Sequence, residues 1–245
     1  MDRETGSPAD SEFSSSTLRA TLDSIDGASN YADWVVSFAD PYLGGRVLEV
    51  GAGVGTLTPR LLQGDPGRTV DACEPDPVLA AHLAERMAGN PRVVVERRPV
   101  EDLPDTDAFD SAVFINVLEH IDDHLGALRA THRVLGPGGH LYVYSPAFTF
   151  LMSDFDRSIG HCRRYRRAGL EAIVRQAGFD VVDSRYVNLP GWFAWLLVAR
   201  VLGKDPTTSD LAGLYDRRFV PLARRVERAV RAPFGQSVLV VARRR

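Results

Sequence analysis

Cysteine is almost absent from this chain, with two thiols, Cys73 and Cys162, in 245 residues. Two isolated cysteines without metal-ligand spacing exclude a disulfide framework, and they suit a reducing cytoplasm. A dominant charge is also missing. The formal net charge of −3 gives no global attraction to nucleic acid or to an anionic membrane. No apolar run reaches spanning length: the aromatic-rich stretch Leu189 to Ala199 stops at Arg200, short of the ~20 residues a bilayer requires. The first thirty residues, rich in Ser, Asp, Glu, Thr and Gly, contain no apolar core stretch and do not read as a secretory signal. They are expected to be flexible up to about Thr17, with a single domain over residues 18–245.

The remaining composition, 44% hydrophobic and 25% charged, fits one large α/β domain with an ample core. Its clearest local pattern is Arg46-Val47-Leu48-Glu49-Val50-Gly51-Ala52-Gly53-Val54-Gly55. Val47, Leu48 and Val50 suit a strand covered on both faces, and Leu57, Leu61 and Leu62 recur at helical spacing, which predicts strand, glycine turn, helix. Glycine permits φ > 0 and removes the Cβ that would block a ligand. A dinucleotide-binding turn would need a third glycine where Thr56 stands, which weakens a pyrophosphate reading. Further strands are expected at Val70–Glu74, Val93–Val95, Ser111–Ile115, His140–Tyr144, Asp180–Tyr186 and Ser237–Val241. Alternation with helices predicts a mostly parallel sheet with right-handed crossovers. A helix through Leu125, Leu128 and Val134 should end at the turn Gly136-Pro137-Gly138-Gly139. Ligands in such sheets sit outside the carboxyl ends of the strands, which puts Glu49, Glu74, the Val100 region, Asn116 and the loop after Tyr144 on one rim.

A strand acid followed by G-x-G-x-G resembles the first motif of the class I S-adenosylmethionine-dependent methyltransferases, and the match is full. Glu74, 19 residues past Gly55, resembles the acid that accepts hydrogen bonds from both ribose hydroxyls. The segments 99–104 and 110–120 resemble the adenine-facing turn and the stretch under the methionine half of the cofactor. The family commonly has Asp where Pro99 stands, so that contact to adenine is lost or passes to Glu101. The resemblance implies a Rossmann-like seven-stranded mostly parallel sheet with helices on both faces, plus a helical insertion before the last strand. It also implies S-adenosylmethionine bound by Tyr31, Glu49, Gly51, Ala52, Gly53, Gly55, Glu74, Pro75, Val100, Glu101, Asn116 and Val117, with S-adenosylhomocysteine as product. One subgroup binds a divalent metal through Glu-x-x-Glu-His. Here the first position is Asn116, an amide and a poorer ligand for a hard cation, so no metal is expected, and Glu119 and His120 read as structural.

The segment Asp154 to Tyr165 resembles a D-x4-G-H-x-R-R-Y pattern of bacterial small-molecule methyltransferases. Methyl transfer is an in-line displacement, so an enzyme mainly aims and desolvates the nucleophile. A hydroxyl acceptor also benefits from a base near neutrality, which a rim histidine supplies. His161 is the first candidate, followed by Tyr165 and Asp156; the competing reading is a lid stitched by Arg–Asp pairs. Residues 188–231 form the insertion. Its apolar stretch, 189–202, is expected to cover the acceptor pocket or to make a homodimer contact, with attachment to a membrane surface as a third reading. The arginines between residues 217 and 231 read as the solvated side of a helix whose apolar stripe is Phe219, Leu222, Val226 and Val230, with an anionic partner as the alternative.

The expected function is methyl transfer to a small-molecule acceptor, with biosynthesis in specialised metabolism as its setting. An alternative is a cofactor-binding protein with a non-methylating role, as regulator or cyclase. Nucleic-acid methylation is disfavoured because Asn116-Val117-Leu118-Glu119 stands where Asn/Asp-Pro-Pro-aromatic would be, and Ser145-Pro146-Ala147-Phe148 follows the wrong strand.

Overall fold

The computed structural model describes residues 29–203 and 209–245. The flexible segment expected at 1–17 lies outside them. Helix α1 (Ser29–Ala39) leads into strand β1 (Arg46–Val50), the single turn α2 (Thr58–Leu61), β2 (Thr69–Cys73), α3 (Pro77–Arg86) and β3 (Val93–Glu96). Then follow β4 (Phe109–Ile115), α4 (His124–Val134), β5 (Leu135–Pro146), α5 (Asp154–Ser158), α6 (Arg167–Gln176) and β6 (Phe179–Val187). The insertion holds α7 (Leu189–Trp195), a π-helical turn (Leu196–Val201) and α8 (Ser209–Ala229), before β7 (Ser237–Arg244).

The strands form one sheet of order β3-β2-β1-β4-β5-β7-β6. Pairs within β3 to β5 are parallel, whereas β7 runs antiparallel to both β5 and β6. The expected mostly parallel, two-sided α/β sheet is what forms. Alternate residues serve opposite faces, as the pleat requires. Leu48, Ala112, Phe114, Leu141, Val143 and Val240 pack under α4 and α6. Val47, Val70, Val113, Tyr142, Leu239 and Val241 pack under α1, α2 and α8.

Three local expectations change. The helix after the glycine turn is one turn long, Thr58–Leu61, with Leu57 and Leu62 at its two cap positions rather than inside it. The glycines 136–139 do turn the chain after α4 as expected, but within the bounds of β5 rather than before it: the register advances from Leu135 to His140 while β4 advances only from Phe109 to Ser111, with Gly138 at φ 79. The apolar stripe of α8 faces outward. Phe219, Leu222, Val226 and Val230 are all exposed, while Asp216, Val220, Ala223 and Glu227 are buried. Periodicity identified the stripe but not its direction, and the buried acids explain the reversal: Asp216 accepts from Asn30 N and Tyr31 N at the start of α1, and Glu227 from Asn188 N and Leu189 N at the start of α7. Free N–H groups at helix starts need such acceptors.

Candidate active site

Chain order reverses between β1 and β4, so a crevice opens at their carboxyl ends, the place where open α/β sheets take ligands. The loop leaving β1 forms one wall. Gly51, Gly53 and Gly55 adopt φ 70, 56 and 80, a region side chains rarely enter. The other wall leaves β4 through Asn116, a non-glycine residue also held at positive φ, 53°, with its N–H bonded to Tyr144 O. The walls touch, since a Cβ on Gly51 would come within 2.5 Å of Val117 Cγ1.

The acids behind this loop are tied to it. Glu74 Oε2 accepts from Gly53 N at 2.8 Å and Oε1 from Asp76 N at 2.9 Å, which holds the carboxylate at the end of β2 and leaves further lone pairs on both oxygens. Burial raises its pKa, against those two backbone bonds. Glu49 accepts from Thr58 Oγ1 at 2.7 Å, and burial pushes its pKa up to about 8, so near neutrality it braces α2 as an uncharged carboxyl. Ala52 is buried and bonds through N to Cys73 O. Pro75 is exposed beside Glu74. Val100 is buried and offers only backbone to a ligand, while Glu101 is exposed. Tyr31 sends its hydroxyl to that of Tyr144, 3.0 Å away at the end of β5, which places it on the same rim. Thr56 Oγ1, where a third glycine would stand in a dinucleotide turn, is buried without a partner.

The segment after β5 forms a second cluster. Ser153 and Asp156 make a capping box at the start of α5. Asp156 is fully buried and accepts from Ser153 N and Oγ, from Arg164 Nε and Nη2, and from His161 Nδ1 at 2.8 Å. Burial alone would raise its pKa, but the bonds from His161, Arg164 and Ser153 prevail and hold it down at about 2. An ionised acceptor on Nδ1 assigns the proton to that nitrogen and the lone pair to Nε2 of His161. Nε2 lies 3.9 Å from Glu119 Oε1. Tyr165 is buried, with its hydroxyl spent on Leu118 O and His124 Nδ1. Of the three catalytic candidates, Asp156 and Tyr165 have their polar atoms engaged within the protein, and His161 alone keeps a free acceptor nitrogen.

Sequence reasoning passed over Glu119 as structural. It is fully buried, and neither carboxylate oxygen has a partner, nor does the adjacent Ser145 Oγ. Burial raises its pKa, offset in part by His161. The available signal was its position three residues after Asn116, on the rim of the crevice. His120 stands beside it with its ring edge-on to His161 at 4.6 Å, and burial lowers its pKa to about 4, so it is neutral.

Ligand atoms of Glu119, His120 and His161 lie within 4.8 Å of one another, a set of the size a divalent ion takes. Asn116, however, stands where the metal-binding subgroup has its first carboxylate, and an amide is a poor ligand for a hard cation. Activity is therefore expected to persist after dialysis against EDTA; loss of activity that zinc or manganese restores would make these three residues ligands.

Comparison with known proteins agrees with this geometry. A family model described as a methyltransferase domain matches residues 26–184. The chain is 30% identical over 217 residues to an uncharacterized 37.1 kDa protein in a transposon of Streptomyces fradiae, covering 87% of this chain and 60% of that protein. It is 26% identical over 156 residues to the ubiquinone biosynthesis O-methyltransferase of Pseudomonas aeruginosa, covering 57% of this chain and 66% of the enzyme. The chain thus spans under two thirds of the length of these curated relatives. The same fold occurs in a Burkholderia thailandensis 1,6-didemethyltoxoflavin-N1-methyltransferase solved with its namesake compound and S-adenosylhomocysteine. That likeness has a TM-score of 0.59 at 21% identity, over 100% of this chain and 93% of that one. With its family model covering α1 through β5 and α6 and reaching into β6, and the glycine turn inside the match, the chain belongs to the family of methyltransferase domains.

Proposed function

We infer that this protein transfers a methyl group from S-adenosylmethionine to a small-molecule acceptor. The observation that carries the reading is the crevice between β1 and β4, where three left-handed glycines face a left-handed Asn116 and a buried carboxylate is fastened to the middle glycine. Backbone can approach a nucleoside there, and Glu74 can still accept from ribose hydroxyls. The Gly51 to Gly55 loop, Glu74, the Val100 backbone and the Asn116–Val117 turn hold the cofactor, with Tyr31 at the methionine end. Bound S-adenosylmethionine supplies the electrophilic methyl carbon.

The acceptor enters from the side of the β5 loop. His161 takes the acceptor proton on Nε2, Asp156 holds its Nδ1–H, and Glu119 lies close enough to stabilise the imidazolium that forms. Asp156 and Tyr165 thus act as positioning residues. A small-molecule acceptor fits a chain whose net charge of −3 offers no general attraction to nucleic acid. Its two cysteines, Cys73 buried and Cys162 exposed, are both free thiols, in keeping with a cytoplasmic setting.

Native mass spectrometry with S-adenosylhomocysteine, followed by an acceptor screen for the gain of one methyl group, tests the reading. Binding without any methylated product across the screen would favour the non-methylating role. Glu74→Ala removes the acceptor of two ribose hydrogen bonds, each worth about 1.5–3 kcal/mol to a charged group, so at least a tenfold loss of affinity is expected in calorimetry. A loss under threefold would mean that the ribose is held elsewhere.

A further inference from the structure

Helix α8 is built inside out for a surface helix. Both of its acids with described side chains, Asp216 and Glu227, point inward and cap α1 and α7. Its outward side is left with Phe219, Leu222, Val226 and Val230, each between 49% and 62% exposed, next to exposed Arg218 and Arg225. Among the described residues neither arginine makes an ion pair. The neighbouring α7 and π turn add Phe193, Leu197 and Val201, spaced by four residues on one side and also more than half exposed. An apolar patch of this kind on a water-facing surface marks a contact.

We propose that this face of α8 docks onto an anionic lipid bilayer surface, with the apolar stripe entering the headgroup boundary and Arg218 and Arg225 lying among the lipid phosphates. The charge pattern selects the occupant. A two-fold symmetric contact with a second copy would set the arginine-bearing face against itself with no compensating acid on that face among the described residues. A bilayer surface carrying anionic lipids offers both halves of the complement: hydrocarbon for the stripe and negative charge for the guanidinium groups. The contact is peripheral, since no helix among the described residues is long and apolar enough to cross a membrane. Seating α8 in this way does not disturb the crevice, because its inward acids stay bonded to α1 and α7.

Co-sedimentation of the whole protein with phosphatidylcholine vesicles, with and without one-third phosphatidylglycerol, tests this. Binding at least tenfold stronger to the anionic vesicles is expected, weakening as salt rises. Arg218→Glu with Arg225→Glu should remove it, and Leu222→Gln with Val226→Gln should weaken it at least tenfold, each with an unchanged melting temperature because all four side chains are exposed. Should a double variant unfold, the single change Val226→Gln and the wild-type salt titration carry the test. Absence of binding to anionic vesicles overturns the proposal. So does binding that neither pair of substitutions alters, or self-association in light scattering that Leu222→Gln abolishes while vesicles stay bare.

Discussion

Gly53→Val is expected to abolish binding of S-adenosylhomocysteine. Residue 53 sits at φ 56, and its N–H holds the Glu74 carboxylate at 2.8 Å. A β-branched residue there costs on the order of 1–3 kcal/mol in backbone strain alone. The loop can escape that strain only by rotating, which releases Glu74 and fills the space through which backbone approaches the ligand. Gly53→Ala, with less bulk, should lose at least tenfold in affinity and guards against misreading an unfolded Val variant. Unchanged affinity in both by calorimetry would remove the crevice from the cofactor assignment altogether.

Replacing His161 should have the second large effect, on rate rather than on cofactor affinity. As a base for an acceptor hydroxyl it contributes about 10²–10⁴, so His161→Ala should slow single turnover by that factor. The wild-type rise of rate with pH should vanish in the variant. The same histidine also belongs to a brace: Asp156 joins it to Arg164, whose guanidinium lies 4.7 Å from the ring of Trp195 in α7. Were it only a brace, the variant would bind acceptor more weakly while keeping the wild-type pH profile. Single-turnover rates over pH 5.5–9 separate the two, and matching profiles with rates within fivefold would sink the base.

The glycine turn after β1 was legible in the chain because its signals are local. A strand buried on both faces leaves a mostly apolar stretch, as Val47, Leu48 and Val50 do around Glu49, and three alternate glycines follow it directly. The far-reaching contacts were not legible. Asp216 bonds a backbone nitrogen 185 residues away, and nothing in the spacing of α8 announces that its acids turn inward. Helical periodicity gives the existence of a stripe and leaves its direction open, which is why Phe219 and Leu222 were expected inside. Glu119 escaped for a different reason. That its buried carboxylate oxygens have no close hydrogen-bond partner is a property of the packed state that no residue pattern contains. Asp156 and Tyr165 matched a motif, yet the motif does not tell a proton carrier from a strut.

The antiparallel strand β7 has a bearing on how this molecule assembles. It lies between β5 and β6 in the sheet but follows both in the chain, with α7 and α8 made in between. During synthesis β1 to β5 can close with their own crossovers, whereas β6 must wait without a neighbour until β7 emerges and inserts. Until then β5 and β6 both present open edges, the feature that invites pairing with foreign strands. Maturation of the sheet is therefore gated by its most distal strand, and the interval spent with unpaired edges, rather than the finished fold, is where this protein is most exposed to aggregation.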